Sequence, residues 1–375
     1  MNKSILKNFN NNSLDYNISH YNWPAKVLEI IQDEYPKVNS LEYIHDILTP
    51  NEISRITGTV QNAFLGKELS QMLDDFAEEY IKPLIDNQRY LIKRQPTLNC
   101  VIPHQGLTGR RLPFHQGIFY DNGRGQATIW MPLTETYESN SMWIMDLAPS
   151  QKLTQQVVRE RWSVEHFEEE CKKLSYPVTL SPGQAHLFAQ EHIHGNINNI
   201  TEITRFAIDW HVLIKGEECH RRLPGGFFRL PGDHSSDIRV DTSKDYICYM
   251  SNNSEFDKNI GKHSQRCTIE HYLNMHNIKH NGWQFENEYL YHLPIFSHLL
   301  ETGSIDGIVV LSMYSIPDTL LEQALASDVE IHFANELMIM RTQEDLDKVL
   351  EYKSFYVPKK GLLTFHADKY LHENH

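Results

Sequence analysis

The sequence has few of the features that mark secreted, membrane-spanning or disulfide-bonded proteins. Its 375 residues include five cysteines, which are scattered and form no Cys-x-x-Cys pair. This spacing argues against a disulfide framework or a zinc ribbon and predicts reduced thiols in a cytoplasmic protein. No run of 18 apolar residues occurs, and the first residues lack the apolar segment of a signal peptide. The sequence therefore predicts neither membrane insertion nor secretion.

Positive charge is also scarce. The chain has 35 Lys and Arg against 49 Asp and Glu, a formal net charge of −14 at pH 7. Such a chain is poorly suited to bind the phosphates of nucleic acids or an anionic membrane. No Gly-x-Gly-x-x-Gly motif or P-loop appears, which argues against a dinucleotide or a nucleoside triphosphate. The expected partner is a small molecule, and the sequence leaves open whether the chain forms a homo-oligomer.

Histidine, by contrast, is abundant, with 21 residues, and invites a metal hypothesis. The hydrophobic share of 40% and the charged share of 22% are those of a globular protein. A chain of this length is suited to two domains.

The sequence pattern changes twice along the chain. Residues 1–215 begin with helical patterns, among them one at 66–85, and continue from about 96 as short apolar runs separated by Gly, Pro and Asn. These runs are typical of an antiparallel sandwich or barrel. Residues 216–244 are rich in Pro and Gly and predict a linker, whereas 245–375 alternate strands and helices, which predicts a doubly wound parallel sheet. The predicted fold class is α+β followed by α/β.

Two histidine-containing stretches carry the chemistry of the first region. His115 lies in Phe114-His115-Gln116-Gly117, His194 begins His194-Gly195-Asn196, and Arg205 follows eleven residues later. Two neutral imidazoles hold Fe(II) while leaving coordination positions open. A guanidinium matches a carboxylate through two parallel hydrogen bonds. The pattern predicts a non-heme Fe(II) site that takes a 2-oxo acid such as 2-oxoglutarate.

These residues, together with the runs ATIWMPLT (127–134) and SNSMWI (139–144), resemble the phytanoyl-CoA-dioxygenase-like superfamily. More narrowly, they are similar to Fe(II)/2-oxoglutarate oxygenases of sporadic carbohydrate-biosynthesis clusters and aminoglycoside pathways. The resemblance covers about residues 95 to 215 and implies a double-stranded β-helix, a cupin-like jelly roll. It also implies iron held by His115 and His194, 2-oxoglutarate bound by Arg205, O2 as co-substrate, and a sugar or sugar nucleotide as substrate.

The chain departs from this family at one position. The family pattern is His-x-Asp, in which the Asp is the third iron ligand, whereas this chain has Gly117 there. One interpretation places chloride in the gap, as in 2-oxoglutarate-dependent halogenases. A second has water or a carboxylate from elsewhere take the position, with Asp121, Glu191 and Asp146 as candidates. A third is a non-catalytic carbohydrate-binding or scaffold protein, and a metal-dependent isomerase or lyase is a further enzyme class.

Other candidate residues flank these histidines. Thr128 and Trp130 alternate on one predicted strand, which places both toward the 2-oxoglutarate pocket. Asn140 and Trp143 are candidate substrate contacts, because sugars favour amide hydrogen bonds and aromatic stacking. A final group is predicted to lie around the metal ligands and orient the imidazoles: Gln116, Gly117, Asp121 and Asn196.

The region from Asp245 resembles, faintly, the small domain of serine recombinases. Tyr249 and Met313 stand where such an enzyme has arginines, and the region carries more acidic than basic residues, so DNA is not the expected ligand. It is more similar to a family of carbohydrate-cluster proteins of unknown role. The polar loop 251–254 (SNNS) follows the first predicted strand, where doubly wound sheets bind ligands.

Overall fold

The computed structural model describes residues 5–104, 113–120, 122–216, 222–234, 239–252, 254–258, 260–286, 293–303 and 305–356. None of the helices within these ranges combines the length and the apolar character needed to cross a membrane.

The helices of the N-terminal half pack in two places: the first three enter the main apolar core, and the last two contribute to a separate cluster. They are α1 (Trp23–Glu34), α2 (Pro50–Ala63) and α3 (Lys67–Phe76), with α4 (Leu147–Glu160) and α5 (Val164–Leu174) later in the chain. Helix α2 begins at Pro50, where Thr49 and Glu52 form a capping box. The helix predicted over 66–85 is α3 followed by a π turn (Ala77–Ile81) and a 3₁₀ turn (Lys82–Ile85). Pro83 has no N–H to extend an α-helix, so the backbone hydrogen bonding changes there.

Two antiparallel sheets follow from the short apolar runs. Their strands are β1 (Asn10–Asp15), β2 (Tyr90–Lys93), β3 (Thr97–Val101), β4 (Gln126–Pro132), β5 (Met142–Ile144), β6 (Tyr176–Pro177), β7 (Gln184–Ala189), β8 (His194–Asn196), β9 (Arg205–Ile214) and β10 (Phe228–Arg229). The larger sheet has the order β1-β7-β4-β9-β2-β10, with β3 also paired to β9, and the smaller has the order β6-β5-β8.

The larger sheet has two faces of different character. Ala127, Ile129 and Met131 of β4 and the alternate residues Phe206, Ile208 and Trp210 of β9 enter the main hydrophobic core under the N-terminal helices. The opposite face looks toward the smaller sheet, and a second apolar cluster lies between them (Trp130, Met142, Ile144, Val178, Leu180, Phe188, Ala207). We call this opposite face the interior face. Because side chains alternate along a strand, one set enters the apolar core and the other faces the space between the two sheets.

The C-terminal half contains one five-stranded sheet with flanking helices. Its elements are β11 (Tyr246–Ser251), α6 (Glu255–Lys258), α7 (Lys262–Met275), β12 (His280–Glu286), α8 (Pro294–Thr302), β13 (Gly307–Val310), α9 (Asp318–Ala326), β14 (Glu330–Phe333), β15 (Met338–Met340) and α10 (Gln343–Ser354). The strand order is β12-β11-β13-β14-β15, with all pairs parallel except β14 with β15. The assignment of this half as a separate flavodoxin-like or resolvase-like domain stays a prediction.

One part of the segment predicted as a linker packs against both halves of the chain. Residues 222–234, which we call the strap, contain β10, whose Phe228 pairs with Lys93 of β2. Arg94 donates to the carbonyl oxygens of Gly225 and Gly226 at 2.9 and 3.3 Å. Phe228 is fully buried in a cluster that also contains Leu91 and Leu213 of the N-terminal sheet and residues of the C-terminal sheet. The strap thus joins the two sheets through buried contacts that its Pro- and Gly-rich sequence does not indicate.

Candidate metal and oxo-acid site

A short backbone pairing brings the two predicted iron-binding histidines together. The amide of each of His115 and His194 donates to the carbonyl of the other at 2.9 Å. A Cβ added to Gly195 would meet the Cα of Phe114 at 2.7 Å, so only glycine permits this close approach. The imidazole centroids are 4.3 Å apart. The central residue of the His194-Gly195-Asn196 motif therefore has a steric role in forming the histidine pair.

The hydrogen bonds of both imidazoles determine which nitrogen carries the lone pair. His115 Nδ1 lies 2.8 Å from the carbonyl oxygen of Pro113, and His194 Nδ1 lies 3.0 Å from that of His192. A carbonyl only accepts, so each Nδ1 holds the proton and each Nε2 presents a lone pair. Burial, together with the neighbouring His115, lowers the pKa of His194 to about 3, and burial also lowers the pKa of His115. Both rings are therefore neutral at pH 7, the form that binds metals.

Arg205 lies beside this pair and carries an unbalanced charge. Its Nη1 donates to Asn196 Oδ1 at 2.9 Å, and Asn196 is two residues beyond His194 on β8, so both project to the same side. The guanidinium lies 5.7 Å from the Trp130 ring centroid, is 1% exposed, and forms no ion pair with a carboxylate of the described residues. Its Nε has no hydrogen-bond partner among those residues. Burial lowers the pKa of Arg205 to about 10, so the side chain remains a cation at pH 7 and requires an anion.

The side-chain amide of Gln190 fills the space beside Gly117. A Cβ at Gly117 would lie 1.7 Å from Gln190 Oε1 and 2.9 Å from Asn122 Nδ2. Gln190 is held there because Oε1 accepts from Asn122 Nδ2 at 2.7 Å and Nε2 donates to Thr128 Oγ1 at 2.7 Å. The glycine that interrupts the His-x-Asp pattern is thus required by the Gln190 side chain.

Not all the predicted site residues lie with the histidines. Trp130 stacks near Arg205, and Thr128 binds Gln190, so both belong to the interior face. The amide of Asn140 is used within its own turn, with Tyr137 N and the Glu135 carbonyl. Trp143 packs on the side of β5 opposite to Met142 and Ile144, against a cluster around Phe114 and Cys171. The structure therefore does not bring Asn140 and Trp143 to the interior face.

Two of the residues predicted to orient the imidazoles, Asn196 and Gln116, form hydrogen bonds to other groups. Asn196 orients Arg205 instead of a histidine, and Gln116 Nε2 donates to the Glu191 carbonyl at 2.6 Å. Asp121 lies outside the described residues. The imidazoles are oriented by backbone carbonyls, which no side-chain pattern in the sequence reveals.

Two of the three carboxylates considered for the third iron position, Glu191 and Asp146, bind other residues. Glu191 lies 3.5 Å from Arg124 Nε, and Asp146 accepts from Tyr176 and Asn11. Among the described residues, no group of three His, Cys, Asp or Glu side chains is arranged to hold a metal ion. The described residues therefore offer a metal two neutral imidazole donors, which is a donor set that suits a divalent transition metal.

Sequence reasoning missed a row of polar residues further along the interior face. Asp209 and His211 share a face of β9 with Arg205, and His211 Nε2 lies 3.2 Å from Asp209 Oδ1. Burial raises the pKa of Asp209, but the hydrogen bond and charge of His211, with Lys93 and His194, outweigh it and hold this pKa below its usual value. The alternation Arg205-x-x-x-Asp209-x-His211 was the available signal, since apolar residues fill the positions between.

Solved structures similar to this one include non-heme iron enzymes. A nickel complex of ThoJ, a non-heme monooxygenase, is 12% identical, with 64% of this chain and 88% of that chain covered and a TM-score of 0.38. EctD from S. alaskensis in its apo form is 12% identical, with 64% and 89% covered and a TM-score of 0.39. SnoK, a non-heme α-ketoglutarate-dependent carbocyclase from nogalamycin biosynthesis, is 11% identical, with 40% and 59% covered and a TM-score of 0.30.

No family model and no curated protein matches the sequence. At TM-scores below 0.5 the structural similarities do not establish an activity. The function is argued below from the residues of the site.

Proposed function

We propose that the protein is a non-heme Fe(II)- and 2-oxoglutarate-dependent oxygenase whose metal is held by His115 and His194. One observation carries the proposal: two facing imidazoles present Nε2 lone pairs beside a buried arginine that has no carboxylate partner. A metal would bind the imidazole nitrogens, and an anionic ligand of that metal would pair with the Arg205 guanidinium. When bound, Fe(II) with 2-oxoglutarate and O2 supplies oxidising chemistry at a substrate C–H bond.

The residues of the chain bind the metal and 2-oxoglutarate and fix their orientation. The carbonyls of Pro113 and His192 hold the two Nδ1 protons, so that the imidazoles cannot turn their lone pairs away from the metal. Asn196 and the Trp130 ring hold the Arg205 guanidinium, which binds the far carboxylate of 2-oxoglutarate. Phe188, whose ring centroid lies 4.7 Å from that of His194, excludes water from one side of the pair.

The occupied position at Gly117 favours oxygenation over halogenation. A halide at the position of the missing carboxylate would lie beside Gln190 Oε1, which is a hydrogen-bond acceptor with partial negative charge. Water, which donates to such an oxygen, suits this position better. The membership of the phytanoyl-CoA-dioxygenase-like superfamily and the carbohydrate substrate stay predictions that rest on the sequence resemblance.

The test is an anaerobic titration of the apo-protein with Fe(II) and 2-oxoglutarate, following the visible metal-to-ligand charge-transfer band. Wild type should develop the band, His194→Ala should lose it, and Arg205→Ala should require at least 10-fold more 2-oxoglutarate. His192→Ala is the matched control, because His192 is also buried but its ring nitrogen binds the Met145 carbonyl. That variant should keep the band.

The effect of chloride on the charge-transfer band distinguishes an oxygenase from a halogenase. A band that is indifferent to chloride supports the oxygenase, whereas a band that moves with chloride would place halide on the metal and favour a halogenase. Absence of any band in wild type would overturn the redox proposal and favour a carbohydrate-binding protein.

A further inference from the structure

A second polar cluster occupies the end of the interior face nearest to the strap. Lys93 and His211 lie on neighbouring strands, and the ring of Phe227 covers both, with its centroid 5.6 Å from Lys93 Nζ and 6.4 Å from the His211 ring centroid. Arg222 approaches the same ring, with Cζ 4.6 Å from the centroid. Lys93 Nζ donates to Thr97 Oγ1 at 2.7 Å. Two cations thus meet around one aromatic ring contributed by the strap.

This cluster is continuous with the histidine pair. Thr128 lies opposite His211 in the β4–β9 register, and its hydroxyl binds Gln190, which lies against Gly117 two residues from His115. Asp209, which binds His211, acts electrostatically on both His115 and His194. A molecule bound to Lys93 would therefore lie on the same face as the metal.

Lys93 is a buried cation without a carboxylate in direct contact among the described residues. Lys93 is 6% exposed and forms no ion pair with a described carboxylate. Burial lowers the pKa of Lys93 to about 8, and the nearby Arg222 adds to this effect, although Asp209 opposes it. A buried ammonium of this kind destabilises the protein unless an anion pairs with it.

Other polar atoms beside Lys93 also lack partners. His211 Nδ1 is buried without a hydrogen bond to any described residue. Gln126, fully buried and one position along the same face, has no partner for either its Oε1 or its Nε2 among those residues. Buried polar groups are normally paired, so this concentration indicates a polar ligand.

We propose that the substrate carries an oxyanion, a phosphate or a carboxylate, which binds Lys93 Nζ and His211 at the strap end of the interior face. This inference rests on the proposed function and specifies the substrate class of that site. The two anions of the reaction bind separate cations, 2-oxoglutarate at Arg205 and the substrate at Lys93. A phosphorylated sugar meets this requirement, whereas a neutral sugar does not.

The experiment measures anion binding by the full chain without iron. Pyrophosphate is followed by ³¹P line broadening and acetate by ¹H saturation transfer, in wild type, Lys93→Met and Arg205→Met. Lys93→Met should weaken binding of the preferred anion at least 10-fold and keep the Fe(II)/2-oxoglutarate band. Arg205→Met should keep the anion binding and weaken the Fe(II)/2-oxoglutarate band. Pyrophosphate binding identifies a phosphate subsite, and acetate binding alone identifies a carboxylate subsite.

Three results would overturn the inference: no anion binding by wild type, equal binding by Lys93→Met, or loss of binding in Arg205→Met alone. Thr97→Val removes only the hydroxyl that accepts from Lys93 Nζ and should weaken anion binding by a smaller factor. This variant replaces Lys93→Met in the test if Lys93→Met does not fold. Because the anion assay needs no iron, absence of the band with intact anion binding would refute the oxygenase and leave the subsite standing.

Discussion

The two large sheets treat their buried polar groups in opposite ways. On the interior face of the N-terminal sheet, Arg205 Nε, His211 Nδ1 and both amide atoms of Gln126 have no partner among the described residues. In and around the C-terminal sheet, four buried carboxylates each accept at least two hydrogen bonds: Asp257, Glu286, Glu330 and Glu336.

The difference separates a surface built for a ligand from a network that stabilises the fold. Asp257 accepts from Ser251 and Ser315 at 2.7 and 2.6 Å, which ties the end of β11 to the turn after β13. The polar loop predicted to bind a ligand at this edge thus contributes Ser251 to an internal hydrogen-bond network. The unpaired groups of the interior face need an exogenous partner, whereas the four carboxylates already have partners within the protein.

The largest expected effect is loss of the Glu330 carboxylate. It accepts from Tyr246, His332, Lys244 and Arg341, and Glu330→Ala should lower the free energy of unfolding by about 4 kcal/mol. Burial raises the pKa of Glu330, but these four partners outweigh it and hold the pKa well below its usual 4.5. The stabilisation is therefore present above pH 4.5 and is lost as pH falls.

Urea unfolding from pH 3 to 8 measures this effect, with Glu344→Gln in the exposed first turn of α10 as the control. A wild-type curve that keeps its full stability at pH 3 would contradict the assignment of Glu330 as a stabilising charge.

Glu336 should produce the opposite pH dependence. Burial raises the pKa of Glu336 from 4.5 to about 7, although Asn335 and Ser312 partly offset it. Its contribution to stability is complete below pH 4.5 and is lost as pH rises through 7, a total of about 3 kcal/mol. Glu336→Gln should therefore gain stability relative to wild type between pH 5 and 8, measured by denaturant unfolding. An unchanged difference across this range would show that the carboxylate is ionised throughout.

A substitution at Gly117 tests whether the Gln190 side chain occupies the space beside it in the candidate site. Gly117→Ala should destabilise the protein by about 2 kcal/mol, because the new Cβ displaces Gln190 and breaks its bonds to Asn122 and Thr128. Gln190→Ala should remove most of this cost in the double variant, which a double-mutant cycle of unfolding free energies measures. Additive effects would mean that the two side chains do not share this space.

The smallest effect compares two fully buried glutamines, one from each half. Gln126→Leu should stabilise the protein by about 1 kcal/mol, since it replaces an unpaired amide beside Leu213 with an apolar side chain. Gln265→Leu should destabilise it by a similar amount, because Gln265 Nε2 donates to the carbonyls of Ser251 and Ile260 at 3.1 and 2.9 Å. Equal changes in melting temperature would remove the contrast between the two sheets.

The strand β1 shows why some elements escape sequence analysis. Its residues, NNNSLD, have little strand preference, and they form a strand because they pair with β7. Within the predicted strand–helix alternation, α7 begins at Lys262 after Gly261, and α8 begins at Pro294. Long elements with a clear pattern were predicted, while their ends depend on caps and turns.

The sequence by itself indicated the two histidines and the arginine as candidate site residues, because the motifs that contain them are local properties. The alternation of residues in β4 and β9 also gives each strand an apolar side, and that side packs into the main core. Only the tertiary structure decided that Gln190 occupies the place beside Gly117, that Asn140 and Trp143 lie away from the interior face, and that the strap brings Phe227 over Lys93. These are contacts between residues distant in sequence, and chain packing rather than local pattern determines which side chains meet.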